Sequence, residues 1–346
     1  MSETKRLAAT MAMKNKDFKT SRERNTVRLF WAIIAALSFV CSAHALDYPT
    51  KPVRIMVGLA PGGIADVAAR IVAHKLTEKW GQQVIVENRA GASGMIANGA
   101  ASRAEPDGYT LMLATSPEVT TTPFIQKNAP KYFVDNFIPV VLVSINPMAL
   151  VATTNGPYKS VKDLVAAAKE KPGQIPYSSA GVGSAPHLAG EMFAEATGIK
   201  LLHVPYKGGS PAAVAVATGE VPIGFVAMAG AVPLVQSERM QVIGLTTAHR
   251  VASEPKWPTL AEAGVPNFDY TVWTGLFVQK GVPADIVRKL NADFEAVLAE
   301  PDVIKQFEVL GAIAGNEPLA AFVERIKRDT SANEAIVTRA NLRTEP

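Results

Sequence analysis

Val53-Arg54-Ile55-Met56-Val57-Gly58-Leu59-Ala60-Pro61-Gly62-Gly63-Ile64-Ala65-Asp66 is the stretch that decides the fold. Val53 to Leu59 is mostly apolar, as a buried strand requires. Ala60-Pro61-Gly62-Gly63 breaks it. From Asp66 to Trp80 the spacing turns helical, with Val67, Ile71 and Leu76 on one side. The pattern continues outward: a strand over Gln83 to Glu87, a Gly- and Ala-rich helix over Gly91 to Ala104, and a strand over Tyr109 to Ala114. A β-α-β-α-β order predicts a mainly parallel sheet with helices on both faces.

Further along, Val140 to Val143 and Ala149 to Ala152 read as two strands parted by Asn146-Pro147, where the chain can cross between lobes. The rhythm then restarts. Helices are predicted over Val161 to Lys171, capped by Ser160, over Ala185 to Thr197, ended by Gly198, and over Pro211 to Thr218. Strands are predicted over Ile175 to Ser178, Leu201 to Pro205, Val221 to Ala227 and Gln241 to Thr246. A return crossing falls between Thr246 and Phe277. An amphipathic helix spans Pro283 to Ala299, and a last helix covers Leu319 to Lys327. The fold class is α/β: two doubly wound lobes joined by a strand hinge. Residues 46–146 plus about 266–346 form lobe 1, and 147–265 form lobe 2. A cleft between such lobes, at the strand ends, is where open α/β sheets bind ligands.

The chain has 346 residues and a formal charge of +4. That charge belongs to the first 45 residues, which hold eight Lys or Arg and three Asp or Glu; the remainder has 27 basic and 28 acidic residues. No basic stripe is left to follow a phosphate backbone, so nucleic acid is excluded as a partner. Lys14, Lys16, Lys19, Arg22, Arg24 and Arg28 precede an apolar run of 12 residues, Leu29 to Val40, and then Ala43-His44-Ala45. Charge, apolar run and small-residue site in that order describe a cleaved export signal. The run is too short for a bilayer, which needs about 20 residues. The predicted location is the periplasm, with cleavage near Ala45. Cys41 is the only cysteine and lies inside the signal, so the mature chain folds without disulfides.

Three loops between a strand and a helix carry the candidate ligand-binding residues. The first offers Pro61, Gly62, Gly63 and Asp66: glycines admit close backbone approach, and the helix start presents N–H groups that favour an anion. Its plainer reading is a turn capped by Asp66. The second runs from Ser178 to His187, with Ser179, Gly181, Gly183, Ser184 and His187 as candidates; hydroxyls and N–H groups both donate to a carboxylate. The third holds Tyr206 and Lys207, a wall and a cation, although a solvated lysine is the commoner role. Ser116, just past the third strand, is a lesser candidate. There is no metal site: His187 and Glu191 are four apart, but His203 sits in a strand and His74 and His249 are remote. No G-x-S-x-G or H-E-x-x-H occurs, so no catalytic residue and no cofactor is expected.

Motifs spread along the chain then combine. Tyr48-Pro49-x-Lys51-Pro52-Val53-Arg54 is followed by Pro61-Gly62-Gly63-x-x-Asp66-x-x-Ala69-Arg70 and Glu87-Asn88-Arg89-x-Gly91-Ala92-x-Gly94. Pro106-Asp107-Gly108-Tyr109-Thr110-Leu111, Ser179-Ala180-Gly181-x-Gly183-Ser184-x-x-His187-Leu188, His203-Val204-Pro205-Tyr206-Lys207-Gly208 and Pro258-Thr259-Leu260-x-Glu262-x-Gly264 come after them. In this order they resemble the Bug family, the extracytoplasmic solute receptors of tripartite tricarboxylate transporters. The resemblance implies a periplasmic-binding-protein-like fold of Venus-flytrap type. It also implies a monomer that captures a small carboxylate for membrane transporter subunits: a di- or tricarboxylate, an acidic amino acid or an aromatic acid. It implies that the loop of Gly62, Gly63 and Asp66 holds a carboxylate, while Ser179 to Ser184 and His187 close from the other lobe. Two positions depart from the family pattern. Ala65 replaces a hydroxyl residue, and Pro222 stands where an Asp is usual. A receptor for a neutral solute, a sensor subunit and, less favoured, an exported enzyme using His187 stay open as alternatives.

Overall fold

The computed structural model describes residues 47–125, 130–339 and 342–343. The leader, its apolar run, the Ala43-His44-Ala45 motif and Cys41 lie outside the described residues. The first part of the chain gives β1 (Val53–Val57), α1 (Ile64–Trp80), β2 (Val84–Asn88), a 3-10 turn (Ala92–Gly94), α2 (Met95–Ser102) and β3 (Thr110–Thr115). Three short helices, α3 (Ser116–Thr120), α4 (Thr122–Ile125) and α5 (Tyr132–Asp135), lead to β4 (Phe137–Asn146). Next come β5 (Met148–Thr153), α6 (Val161–Glu170), β6 (Pro176–Ser179), α7 (Ala185–Thr197), β7 (Leu202–Pro205), α8 (Gly209–Ala217), β8 (Ile223–Ala227), α9 (Met228–Gln236) and β9 (Met240–Leu245). The chain ends with β10 (Val272–Gln279), α10 (Ala284–Leu298), α11 (Pro301–Val309), β11 (Ile313–Ala314) and α12 (Leu319–Arg339).

These strands form two sheets, ordered β11-β4-β10-β3-β1-β2 and β7-β6-β8-β5-β9. Each contains a parallel trio, β2-β1-β3 or β7-β6-β8, as the βαβ rhythm predicts. The sheets are nevertheless mixed. β10 is antiparallel to β3, and β5 is antiparallel to β8. The reason is the crossing itself. A strand arriving from the other sheet starts at the hinge and runs away from it, whereas the parallel strands end there.

Alternation along the strands builds two apolar layers per sheet. Val53, Ile55 and Val57 of β1 face the same layer as Leu290 and Phe294 of α10, while Met56 faces Trp273 and Phe322. In β5, Met148, Leu150 and Ala152 face Phe193 of α7, and Ala149 and Val151 face Val216 of α8. Phe225 is fully buried, so Phe225→Ala is expected to cost about 3–5 kcal/mol. Local signals set the helix ends. Ser160 Oγ accepts from Asp163 N at 3.2 Å, and Gly198 ends α7 with φ 65.

Candidate functional site

Strand register fixes which loops face one another. Asn146, the last residue of β4, pairs with Val272, the first of β10, and Met148 of β5 pairs with Ala227, the last of β8. Both crossings therefore leave from the strand ends that carry the loops after β1, β2 and β3 in one sheet and after β6, β7 and β8 in the other. The two sets touch where Ile125 reaches Gly183: a Cβ on that glycine would lie 2.5 Å from Ile125 Cδ1.

In the first loop Gly62 has φ 81, a left-handed backbone that glycine adopts without strain. Its N–H donates to Asp66 Oδ2 at 2.8 Å, and Arg70 Nε donates to the same oxygen at 3.0 Å. Burial pushes the Asp66 carboxyl up, but bonds from Arg70 and Gly62 outweigh it and hold the group below its ordinary value. Asp66 thus spends its acceptors on fixing the loop. Gly63 stands at the N-cap of α1 with no side-chain cap. The amides of Ile64 and Ala65 donate to no described group. Bare amides at a helix start form a place for an anion.

The second loop is closed on itself. Ser184 Oγ donates to Gly181 O at 2.7 Å and also caps α7 by accepting from His187 N. Gly183 N donates to Nδ1 of His187 at 3.0 Å, which places the His187 proton on Nε2, 3.8 Å from Glu191 Oε1. His187 is buried and stacks on His203, with ring centroids 3.7 Å apart. Burial lowers both imidazoles to about 4, so both are neutral at physiological pH. Ser179 Oγ lies 2.6 Å from Nε2 of His203. That spacing matches a hydroxyl–base pair, but Ser179 is 0% exposed and its Oγ also accepts from Gly181 N at 3.1 Å, so the hydroxyl holds the loop.

The third loop runs beside the second: Tyr206 N donates to Ser179 O and Gly208 N to Ala180 O. Tyr206 OH donates to Glu220 Oε1 at 2.7 Å, and Lys207 is exposed. Ser116 is buried, and its Oγ accepts from Trp273 N at 3.3 Å, bracing the end of β3 against β10. The structure therefore brings Ser179, Gly181, Gly183, Ser184 and His187 into one bonded cluster. It ties Gly62 to Asp66, with Pro61 exposed in the same turn.

Two residues escaped the sequence reading. The sequence places His203 in a strand, apart from His187, but β7 lies parallel to β6 with Tyr177 opposite His203, and that register carries the ring to the loop. Glu118 is the other. Its Oε2 accepts from both N and Oγ1 of Thr115 at 2.7 Å, a capping box whose Thr-x-x-Glu spacing is visible in the sequence. Its Oε1 has no partner. The carboxyl sits where Gly58 and Gly94 lack side chains; a Cβ there would lie 2.4 Å and 2.1 Å from Oε1. Complete burial, only partly offset by Thr115, pushes Glu118 up to about 7.

Among the described residues no group of three His, Cys, Asp or Glu converges to hold a metal ion. A cavity of about 520 Å³ opens elsewhere, lined by Val141, Leu298 and Ile313. Its lining carries the carboxylates Glu295 and Glu317, which accept from Asn291 and Arg325, and carboxylates on the wall repel an anion.

Comparison with known proteins agrees with this architecture. The family described as tripartite tricarboxylate transporter family receptor matches residues 68–341. A Pseudomonas sp. (strain P51) protein, named for the tcbD-tcbE intergenic region, is 36% identical over 80% of this chain and 83% of its own. The structure of Rpa4515 from R. palustris with adipate superposes with a TM-score of 0.72 at 30% identity, covering 85% of this chain and 99% of that one. The periplasmic binding protein BugD superposes with a TM-score of 0.69 at 32% identity, covering 86% of this chain and 100% of its own.

Proposed function

The chain belongs to the tripartite tricarboxylate transporter receptor family, and from that premise we propose that it is an exported receptor for a small carboxylate. In this reading the acid lies between the two sets of hinge-side loops, in the periplasm, and passes to the membrane subunits of a tripartite tricarboxylate transporter. The two sheets, each with its own apolar layers, move as lobes about the crossings at Asn146–Met148 and near Val272. The receptor works as a monomer.

The observation that carries the reading is the start of α1. Gly62 and Asp66 hold the loop, Gly63 leaves the helix uncapped, and the first-turn amides donate to no described group. A carboxylate there accepts from backbone N–H groups and from the positive end of the helix dipole. Adipate in the related Rpa4515 structure supports the ligand class. Ser179 to Ser184, His187, Tyr206 and Lys207 approach from the second sheet and complete the enclosure.

Titration calorimetry against mono-, di- and tricarboxylates, with matching neutral amides, tests this. Acids are expected to bind and amides to fail. Amides binding as tightly as the acids would show that the charge is not what is recognised.

A further inference from the structure

We propose that α12 straps the two sheets together, with Arg339 and Glu195 as positioning residues that hold the hinge-side loops at the spacing a bound acid needs. The proposal rests on the receptor reading above and names what biases closure of that same site.

The first half of α12 belongs to the first sheet. Phe322 is fully buried against Trp273 and Phe277, and Trp273 Nε1 donates to Asp329 Oδ2 at 2.8 Å. The second half packs against α7 of the other sheet. There Arg339 Nη1 and Nη2 donate to Glu195 Oε1 and Oε2, a two-point bond that fixes orientation as well as distance. The backbone already joins the sheets at Asn146–Met148 and near Val272. The ion pair is a further link, made by side chains that can part.

The same helix grips elements that begin in both sets of loops. Asn333 Nδ2 donates to Thr120 Oγ1 at 2.8 Å, and Thr120 ends α3, the helix that follows β3. Glu195 lies on α7, which starts from Ser184 in the second loop. Asn333 and Arg339 are about 9 Å apart along the helix axis. One helix therefore sets the distance between α3 and α7, and with it the distance between their loops. In this arrangement the loops meet, Ile125 against Gly183. A bond made in one arrangement favours that arrangement.

The joint leaves room for motion. Met192 and Ala196 of α7, Ala332 and Ile336 of α12, and Phe268 line a cavity of about 340 Å³. Close-packed helices resist displacement, whereas this space lets α7 shift without dismantling a core. Arg339 and Glu195 are each half exposed, so water solvates both when the pair parts.

Titration calorimetry with adipate, and small-angle scattering of the protein without acid, test the strap on four proteins: native, Arg339→Glu, Lys327→Glu, and the swap of Arg339→Glu with Glu195→Arg. Arg339→Glu sets two carboxylates against each other. It is expected to weaken adipate about three- to five-fold and to raise the radius of gyration. High salt is expected to narrow that gap, because the pair is exposed. The swap is expected to restore both values. It keeps a glutamate at the end of α12, so recovery excludes fraying of the helix as the cause. Lys327→Glu changes the charge equally, but its partner Glu324 is on the same helix, and both values are expected to stay native. An unchanged radius in Arg339→Glu, tighter adipate binding by it, a swap that fails to recover, or an equal effect from Lys327→Glu overturns the strap. Failure of adipate with every protein, the native one included, counts against the receptor reading alone, since the radius reads the strap without ligand.

Discussion

The imidazole of His187 lies flat on that of His203, with ring planes 6° apart and centroids separated by 3.7 Å. Two such rings tolerate each other only while uncharged. Burial is the main force lowering both to about 4, and for His203 the neighbouring His187 adds to it.

A stability loss on acidification follows. The folded values lie below the ordinary 6.5, so the unfolded chain takes up protons that the folded one refuses. The stabilisation is complete above pH 6.5 and is lost as pH falls toward 4. For His187 the loss is on the order of 3 kcal/mol. Melting temperature measured against pH is expected to drop in that window, and His203→Asn to flatten the drop. An unchanged slope in the variant would show that the stacked pair is not its source.

Glu118 acts with the opposite sign. Its folded value, about 7, lies above the ordinary 4.5, so the folded chain retains a proton that the unfolded one releases. Its contribution is fully present below pH 4.5 and is lost as pH rises toward 7. Glu118→Gln, neutral throughout, is expected to be more stable than the native protein above neutrality by about 1–3 kcal/mol and nearly equal to it in acid. Paired urea melts at the two pH values measure the difference. Equal effects at both would mean that the carboxyl is not protonated by burial.

Gly94 is held by the same carboxyl. Gly94→Ala would place a Cβ 2.1 Å from Glu118 Oε1 at a φ of 87. The cost is expected to exceed about 2 kcal/mol. Adding Glu118→Ala is expected to remove the collision but leave about 1 kcal/mol from the left-handed backbone. A double-mutant cycle by denaturant melts separates the two contributions; simple additivity would show that the contact is unimportant.

Asp66→Ala removes the acceptor that gathers Gly62 N and Arg70 Nε. Affinity for the bound acid is expected to fall about ten-fold or more, with a stability loss of only about 1–2 kcal/mol. Calorimetry and a thermal melt on the same sample check both numbers. Unchanged affinity would release the first loop from its assigned role.

Much of this was legible in the chain itself. Val53 to Val57 reads as a buried strand because its residues pack both faces, and Ser160 and Gly198 mark helix ends through bonds made within one turn. What escaped depends on distant residues. β10 is a central strand whose Val272, Trp273 and Thr274 favour a strand, but Gly275 interrupts the pattern. Gly275 is small because Phe322 packs where its Cβ would be, 2.4 Å from the Phe322 ring. α9 carries Pro233 inside it, which local propensity disfavours. α12 continues past Lys327 to Arg339, where Asn333 donates to Thr120 and Ile336 and Val337 are buried. Glu118 looks like a helix cap in sequence; only Gly58 and Gly94, brought in by β1 and the turn before α2, turn the cap into a buried acid.

The two helix starts differ in one respect: α1 begins with bare amides, whereas α7 begins with its donors already engaged by Ser184, His187 and Gly181. Under the receptor reading this divides the kinetics. The open half sets how fast an acid is caught, because its donors need no rearrangement before contact. The self-bonded half works as a shutter and sets how long the acid stays. Changes at Gly62 or Asp66 should then appear in the association rate, and changes at Ser184 or His187 in the residence time. A membrane partner could unload the receptor by loosening the shutter alone, without touching the atoms that grip the carboxylate.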